Sequence, residues 1–201
     1  MKAPKLLLTI ATLSLAASVA TAQKIKLKDG KLDALKGTTE FNVKYDYSNM
    51  TVTTKNKPEA EFITTKREDL NKKEPGTGDK WAESWVADRE KRFAVQFKEE
   101  FEKQSDMKIG DNPEAKYTLV FHTTHTETGY NIGISRRNAY IDGELLVVET
   151  ANPDNVIARI SIDNAPGQTV GGYDFDTGVR LQESYAKAGK ELGKFLRKKL
   201  K

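Results

Sequence analysis

Hydrophobic residues recur at every second position in several parts of the chain, a period typical of half-buried β-strands. The clearest run extends from Phe41 to Tyr47, where four apolar or aromatic residues alternate with polar ones. Similar runs predict strands over 117–121, around 132–134, and over 140–150 and 156–162. Because residues 145–148 are apolar on both faces, the strand over 140–150 is expected at the centre of a sheet.

Three segments show the longer period of an amphipathic helix. Pro58 suits the first residue of a helix that reaches Leu70. The second has large aromatic residues at multiples of four, namely Trp81, Trp85, Phe93, Phe97 and Phe101. Each such ring buries roughly 150–250 Å², which favours a core face over the alternative of an aromatic ligand platform. A last helix is predicted over about 179–200, where Gly189 and Gly193 would let it lie close to the sheet.

Turn-forming residues separate these elements. Asp29-Gly30 suggests a short hairpin after Ile25 and Leu27. Loops are predicted over 72–79, with Asp79 capping the next helix, and over 105–114, while residues 152–155 form a turn. Asp142-Gly143 is compatible with a hairpin turn or with a bulge inside one long strand, and the bulge is the favoured interpretation.

The resulting order is strand, two helices, a run of strands and a closing helix. This order predicts an α+β fold, with a mainly antiparallel sheet and helices packed on one side. We divide the chain into a signal peptide over 1–22, a lysine-rich segment over 23–40 and a single α+β domain over 41–201.

The layout resembles small Gram-negative envelope domains related to the TolB amino-terminal domain and the periplasmic domain of the curli-secretion lipoprotein. The elements that carry the resemblance are the Phe41-to-Tyr47 strand, the Trp85-to-Phe101 helix, the Leu145-to-Ile162 strand pair and the Leu181-to-Leu200 helix. Those relatives are often lipid-anchored, whereas this chain lacks the cysteine that an anchor needs. The resemblance implies an envelope location and no catalytic residues.

The N-terminus has the three parts of a cleavable secretory signal. Lys2 and Lys5 precede an uncharged apolar run, and Ala20-Thr21-Ala22 supplies a small-x-small cleavage site, so the mature chain is expected to start at Gln23. As a helix the apolar run would rise roughly 22 Å, too little for a hydrocarbon core of roughly 30 Å. The expected location is therefore periplasmic or secreted, with no transmembrane segment.

Composition removes several function classes. Cleavage would take Lys2 and Lys5 from a chain of net charge +4, and acids alternate with bases elsewhere, so a nucleic-acid partner is not expected. The absence of cysteine excludes thiol nucleophiles, thiolate metal sites and redox motifs. No cofactor is predicted.

Metal and phosphate motifs are incomplete. His122 and His125 are three residues apart, so an unbroken strand would place them on opposite faces, too far apart to share a zinc ion. The segment 76–80 lacks the spacing of a phosphate-binding loop. Asp174, Asp176 and Gly178 form only part of a calcium loop. We therefore predict no metal site and no catalytic residue.

The glycine-rich segment 164–178 is the best place for a binding site, since long connections are often functional. Its candidate ligand-binding residues are Tyr173, Asp174, Phe175 and Asp176. These side chains could stack on and hydrogen-bond a sugar or a peptide. The alternative is that the aromatic residues fix the loop to the core.

Basic residues give a second set of candidates. Arg136 and Arg137 are adjacent, and the last helix carries Lys190, Lys194, Arg197 and Lys198 opposite its apolar stripe. Such a helix could contact an anionic surface, although cations also complement the dipole at a helix C-terminus. We predict an exported non-catalytic binding or assembly module whose partner is an unidentified glycan, peptide or envelope protein. A carboxylate-based hydrolase and a surface-associated protein are the alternatives.

Overall fold

The computed structural model describes residues 23–131, 135–167 and 176–201. The helices are α1 (Glu59–Lys73), α2 (Thr77–Asp88), α3 (Val95–Ser105) and α4 (Thr177–Leu200), and a π-helical segment, Arg89–Ala94, joins α2 to α3. The strands are β1 (Lys24–Gly30), β2 (Glu40–Asp46), β3 (Thr51–Val52), β4 (Lys57–Pro58), β5 (Lys108–Gly110), β6 (Tyr117–Glu127), β7 (Tyr130–Asn131), β8 (Arg136–Arg137), β9 (Tyr140–Glu149) and β10 (Asn152–Pro166). The predicted signal segment and the strand residues 132–134 lie outside the described residues.

One mixed sheet dominates the fold, and the predicted α+β class is confirmed. Its main order is β1-β10-β9-β6-β2-β5. Pairing is antiparallel from β1 to β6, whereas β2 runs parallel to both β6 and β5. The short strand β5 lies inside the segment that was predicted to be a loop. The lysine-rich residues of β1 form an exposed edge strand, where charged side chains discourage pairing with other chains.

The helices cover one face of this sheet. Phe121, Leu145 and Ile160 lie opposite one another on neighbouring strands, and all three are fully buried. Their neighbours Val120, Leu146 and Arg159 point to the other face and are only partly buried or exposed. The hydrophobic core therefore lies between the sheet and the α3–α4 pair.

Helix α4 packs on the sheet, where the Tyr185 hydroxyl lies 2.8 Å from Thr123 Oγ1, but Gly189 and Gly193 face α3 rather than the sheet. A Cβ atom at Gly189 would collide with the carbonyl oxygen of Phe97, and one at Gly193 would lie 2.7 Å from that of Phe101. The two glycines therefore bring two helices together, and Phe97 of α3 packs directly on Phe121 of the sheet.

Several predicted turns are wrong. Asp29-Gly30 is not a hairpin turn: β1 continues through it along β10, and the left-handed Gly30 lies against the backbone of Ile157. Helix α2 begins at Thr77, after a left-handed Gly76, so Asp79 lies in its first turn and is not its cap. The turn predicted over 152–155 falls at residues 150–151, because β10 begins at Asn152 and pairs at once with Glu149.

A bulge beside Asp142-Gly143 also changes the position of the histidines. Strand β9 runs unbroken through Asp142-Gly143, which rules out the hairpin. The extra residue is Thr124 on β6, because Thr123 pairs with Gly143 and His125 pairs with Asp142. An extra residue shifts the alternation of side chains by one position. His122 and His125 therefore point to the same face, contrary to the prediction.

Candidate functional site

An open cleft of about 640 Å³ lies between helix α2 and the beginning of α4; we call it the α2–α4 cleft. Its size falls within the range of roughly 300–1,000 Å³ that is common for small-ligand sites. The lining residues are Thr77, Lys80, Trp81, Ser84, Trp85, Ala87, Asp88, Lys91, Arg92, Asp176, Thr177 and Gly178. They combine two indole rings with hydroxyl, carboxylate and cationic groups.

One wall of the cleft is a single face of one helix. Trp81, Trp85, Asp88 and Arg92 follow one another at spacings of four, three and four residues, which places them in a row along α2 and the π-helical segment. Such π-helical turns occur frequently at functional sites. Here the segment contributes Lys91 and Arg92 to the wall, and the carbonyl oxygen of Ala94 accepts a hydrogen bond from the Tyr45 hydroxyl at 3.2 Å.

The two indole rings have different surroundings. Trp85 is 7% exposed, and its Nε1 donates to Glu59 Oε1 at 2.6 Å, while Arg89 also binds this oxygen. Trp81 is only partly buried and lies 5.6 Å from the ring of Trp85 and 5.8 Å from that of Phe62. Trp85 is thus fixed in place, and Trp81 presents part of its ring to the cleft.

Residues 176–178 form the second wall of the cleft, and an arginine joins it to the first. Arg92 contacts Asp88 through Nε at 3.1 Å and Asp176 through Nη1 at 3.0 Å. Asp176 also caps helix α4, since its Oδ1 accepts from the backbone N–H of Val179 at 3.2 Å. The approach is close enough that any Cβ at position 178 would collide with Asp88 Oδ2. A larger residue at this position would therefore require the Asp88 carboxylate to move.

The pKa values of the two aspartates are shifted in opposite directions. Burial raises the pKa of Asp88, and the negative charge of Asp176 adds to this effect against the opposing charge of Arg92. Burial would also raise the pKa of Asp176, but the hydrogen bonds from Arg92 and from Val179 N–H outweigh it, so this pKa is lowered. Carboxyl groups with separated pKa values in one cleft can take different roles toward a ligand.

The sequence candidates are distributed over different parts of the molecule. Asp176 lines the α2–α4 cleft, and Tyr173, Asp174 and Phe175 lie outside the described residues. Arg136 and Arg137 form β8, which pairs with β7, and they do not line the cleft. Arg137 donates to Thr54 Oγ1 at 2.9 Å and lies 3.6 Å from the buried Glu127, which fits a structural role.

The histidines each have a separate partner. His122 Nε2 lies 2.8 Å from the carbonyl oxygen of Ser48, and His125 Nδ1 lies 2.9 Å from Thr51 Oγ1. Within the described residues, no group of three or more histidine, aspartate or glutamate side chains could hold a metal ion.

The basic face of α4 is partly neutralised. Lys194 pairs with Glu191 at 2.7 Å, and Arg197 lies 3.6 Å from Asp106. Two of its four candidate cations thus have acidic partners within the protein. No helix in the described part of the chain is long and apolar enough to cross a membrane.

A scan against protein-family models finds none that matches, and no curated protein matches the chain. Among solved structures, the chain is similar to a PelC dodecamer from Paraburkholderia phytofirmans. The identity is 12%, with 85% of this chain and 97% of that chain covered and a TM-score of 0.39. For a variant of the same dodecamer, the identity is 11%, the comparison covers 83% of this chain and 98% of that chain, and the TM-score is 0.37. Likeness of this degree assigns no function.

Sequence reasoning missed Asp88 and Arg92, and it assigned Trp81 to the core. The usable signal was their position on the same helical face as Trp81 and Trp85, with charged residues directly in line with aromatic ones. A helix face that mixes large aromatic and charged residues is not a purely buried face. The sequence did not show that Asp176 would lie opposite this helix face, within contact of Arg92.

Proposed function

We propose that this chain is an exported, non-catalytic binding module of the bacterial envelope, and that the α2–α4 cleft binds an oligosaccharide. One observation carries the proposal: the partly exposed ring of Trp81 lies in an open cleft whose rim is polar and charged. A sugar ring has an apolar face of C–H groups and a rim of hydroxyls. An indole ring packs against the C–H face, and carboxylate and guanidinium groups form hydrogen bonds with the hydroxyls.

The rim supplies both donors and acceptors. Lys80, Lys91 and Arg92 donate, Asp88 and Asp176 accept, and the hydroxyls of Thr77 and Ser84 can do either. A peptide or a nucleotide would need a groove for an extended backbone or a concentrated positive charge. The cleft, with its mixed charges, fits a hydroxyl-rich ligand better.

Intrinsic fluorescence provides a direct test, because the only two tryptophans of the chain, Trp81 and Trp85, both line the cleft. We would titrate purified protein with N-acetylglucosamine oligomers and with acidic oligogalacturonates. Binding at the cleft should shift the tryptophan emission and saturate with ligand concentration.

The variant Trp81→Ala should weaken that binding at least tenfold, which corresponds to about 1.4 kcal/mol or more. Because Trp81 lies at the edge of the core, the free energy of unfolding should fall by no more than about 1–2 kcal/mol. Calorimetric titration of the variant gives the affinity without fluorescence. Unchanged affinity in Trp81→Ala, or failure of both probe classes to bind, would contradict the oligosaccharide proposal.

A carboxylate-based hydrolase is the second candidate, and a specific observation favours it. Asp88 and Asp176 converge on the same cleft, and their pKa values are displaced in opposite directions. Arg92 contacts both carboxylates and would have to move before either could reach a glycosidic bond. Release of new reducing ends from the oligosaccharide probes, abolished in Asp88→Asn, would replace the binding proposal with the enzymatic one.

A further inference from the structure

A smaller hollow of about 240 Å³ lies at the N-terminal end of β1, and it shares no lining residue with the α2–α4 cleft. It is lined by Gln23, Ile25, Glu191, Lys194, Phe195 and Lys198. Gln23 directly precedes the edge strand, whose first residue, Lys24, is paired with Asp163. The sheet therefore holds this end of the described chain in place.

The amide of Gln23 is in an unfavourable position. Its Nε2 is buried and has no hydrogen-bond partner among the residues that the structure describes. A buried amide group that forms no hydrogen bond costs on the order of 1–3 kcal/mol. A protein would be more stable if this nitrogen were removed and the rest of the side chain kept.

The signal sequence predicts that Gln23 becomes the first residue of the exported protein. We propose that the mature N-terminus is a modification site, at which Gln23 cyclises to pyroglutamate. The α-amine attacks Cδ of the side-chain amide, a bond between the α-nitrogen and Cδ forms, and the bond between Cδ and Nε2 breaks. The proton lost by the amine goes to the leaving group, which departs as ammonia. No oxidant or other co-reactant is required.

The surroundings of Gln23 favour the cyclic product in two ways. The atom that leaves is the same Nε2 that has no partner among the described residues. Cyclisation also removes the charge of the terminal amine. That ammonium would otherwise belong to a residue that lines the hollow together with Lys194 and Lys198. Glu191 is the one acidic lining residue, and it already pairs with Lys194 at 2.7 Å.

The test is mass spectrometry of the N-terminal peptide from full-length chain expressed and exported in a Gram-negative host. The expected result is a peptide that starts at residue 23 and is lighter by one ammonia than the unmodified sequence. A peptide starting with unmodified Gln23, or at any other residue, would overturn the proposal. Edman degradation should fail on the same sample, because it requires a free α-amine.

The matched control is Gln23→Glu, exported in the same way. Its cyclisation would have to expel water instead of ammonia, so we expect its N-terminal peptide to remain largely uncyclised and open to Edman degradation. If Gln23→Glu is blocked to the same extent as the natural protein, the block does not arise from loss of the Gln23 amide nitrogen. Ligand binding at the α2–α4 cleft plays no part in either measurement.

Discussion

The aromatic stripe between Trp81 and Phe101 continues with one spacing, yet its two halves have different surroundings. Phe97 and Phe101 are fully buried, Phe97 stacks on Phe121 of the sheet, and Phe93 stacks on Tyr185 of α4 with ring centroids 4.6 Å apart. Trp85 also belongs to the hydrophobic core and Trp81 packs against it, but both indole rings line the α2–α4 cleft. The same sequence pattern thus gives a packed interior at one end and a candidate binding surface at the other.

Helix geometry explains part of this difference. In the α-helical parts on either side of the π-helical segment, residues four apart advance by more than one turn of 3.6 residues. Each residue of the stripe is therefore displaced around the helix relative to the one before it. Its two ends therefore face different neighbours. Helix α4 covers the second half of the stripe, whereas only the first residues of α4 approach the first half.

Phe97→Ala should give the largest loss of stability, because it removes a ring from the closed half of the stripe. Phe97 packs 4.8 Å from Phe121 and 5.7 Å from Tyr45, measured between ring centroids. Truncation of a buried phenylalanine typically costs about 3–5 kcal/mol. The free energy of unfolding, measured in urea, should fall much more for Phe97→Ala than for Trp81→Ala. Equal losses would contradict the view that one half of the stripe is core and the other half is a cleft surface.

Gly189→Ala should cause the next largest loss, because it tests the contact between α3 and α4. The added methyl group would collide with the backbone of Phe97, which cannot move without displacing the core. Overpacking of this kind costs about 1–3 kcal/mol in the free energy of unfolding. Gly110→Ala is the control, since its Cβ would meet only the flexible end of Lys98 at 3.4 Å. A stabilised Gly189→Ala would show that the helices can separate freely.

Asp88→Asn and Asp176→Asn should give the smallest effects, with opposite signs. Burial raises the pKa of Asp88, so the stability that this group contributes is present below its unfolded pKa and is lost as the pH rises through its folded pKa. The pKa of Asp176 is lowered, so its contribution is present above its unfolded pKa and is lost as the pH falls through its folded pKa.

Unfolding free energies measured between pH 3 and pH 7 test this contrast, in roughly the range where carboxyl groups titrate. As the pH rises, Asp88→Asn should gain stability relative to the natural protein, and Asp176→Asn should lose it. Two curves that move in the same direction would contradict the assigned ion cluster. Asp88→Asn could also be at least as stable as the natural protein at pH 7 and yet bind oligosaccharide poorly. That result would show that Asp88 contributes to ligand affinity and not to the free energy of unfolding.

Local patterns predicted most of the fold. The alternation from Phe41 to Tyr47, the predicted strands over 117–121, 140–150 and 156–162, and the long terminal helix are all present. Each buries one face, and the side-chain period identifies that face. Turns were predicted less well. Asp29-Gly30 and residues 152–155 have turn-forming composition, but strand pairing with β9 and β10 determined where the chain reverses.

The candidate site could be predicted only in part. Asp176 was identified from its loop, whereas Asp88 and Arg92 were not, because ion pairs between distant segments leave no local pattern. Arg92 and Asp176 are 84 positions apart in sequence. The histidines show the same limit, since the single extra residue Thr124 places both on one face of the sheet.

By itself, then, the sequence determined which residues need burial and in which type of element, since periodicity and composition are local properties of the chain. The tertiary structure alone decided which neighbour covers each face. It left Trp81 at the edge of a cleft, buried Phe97 against the sheet, and brought Asp176 to Arg92. Burial and ion pairing depend on distances in space between segments, and those distances are fixed only when the whole sheet and its helices have packed together.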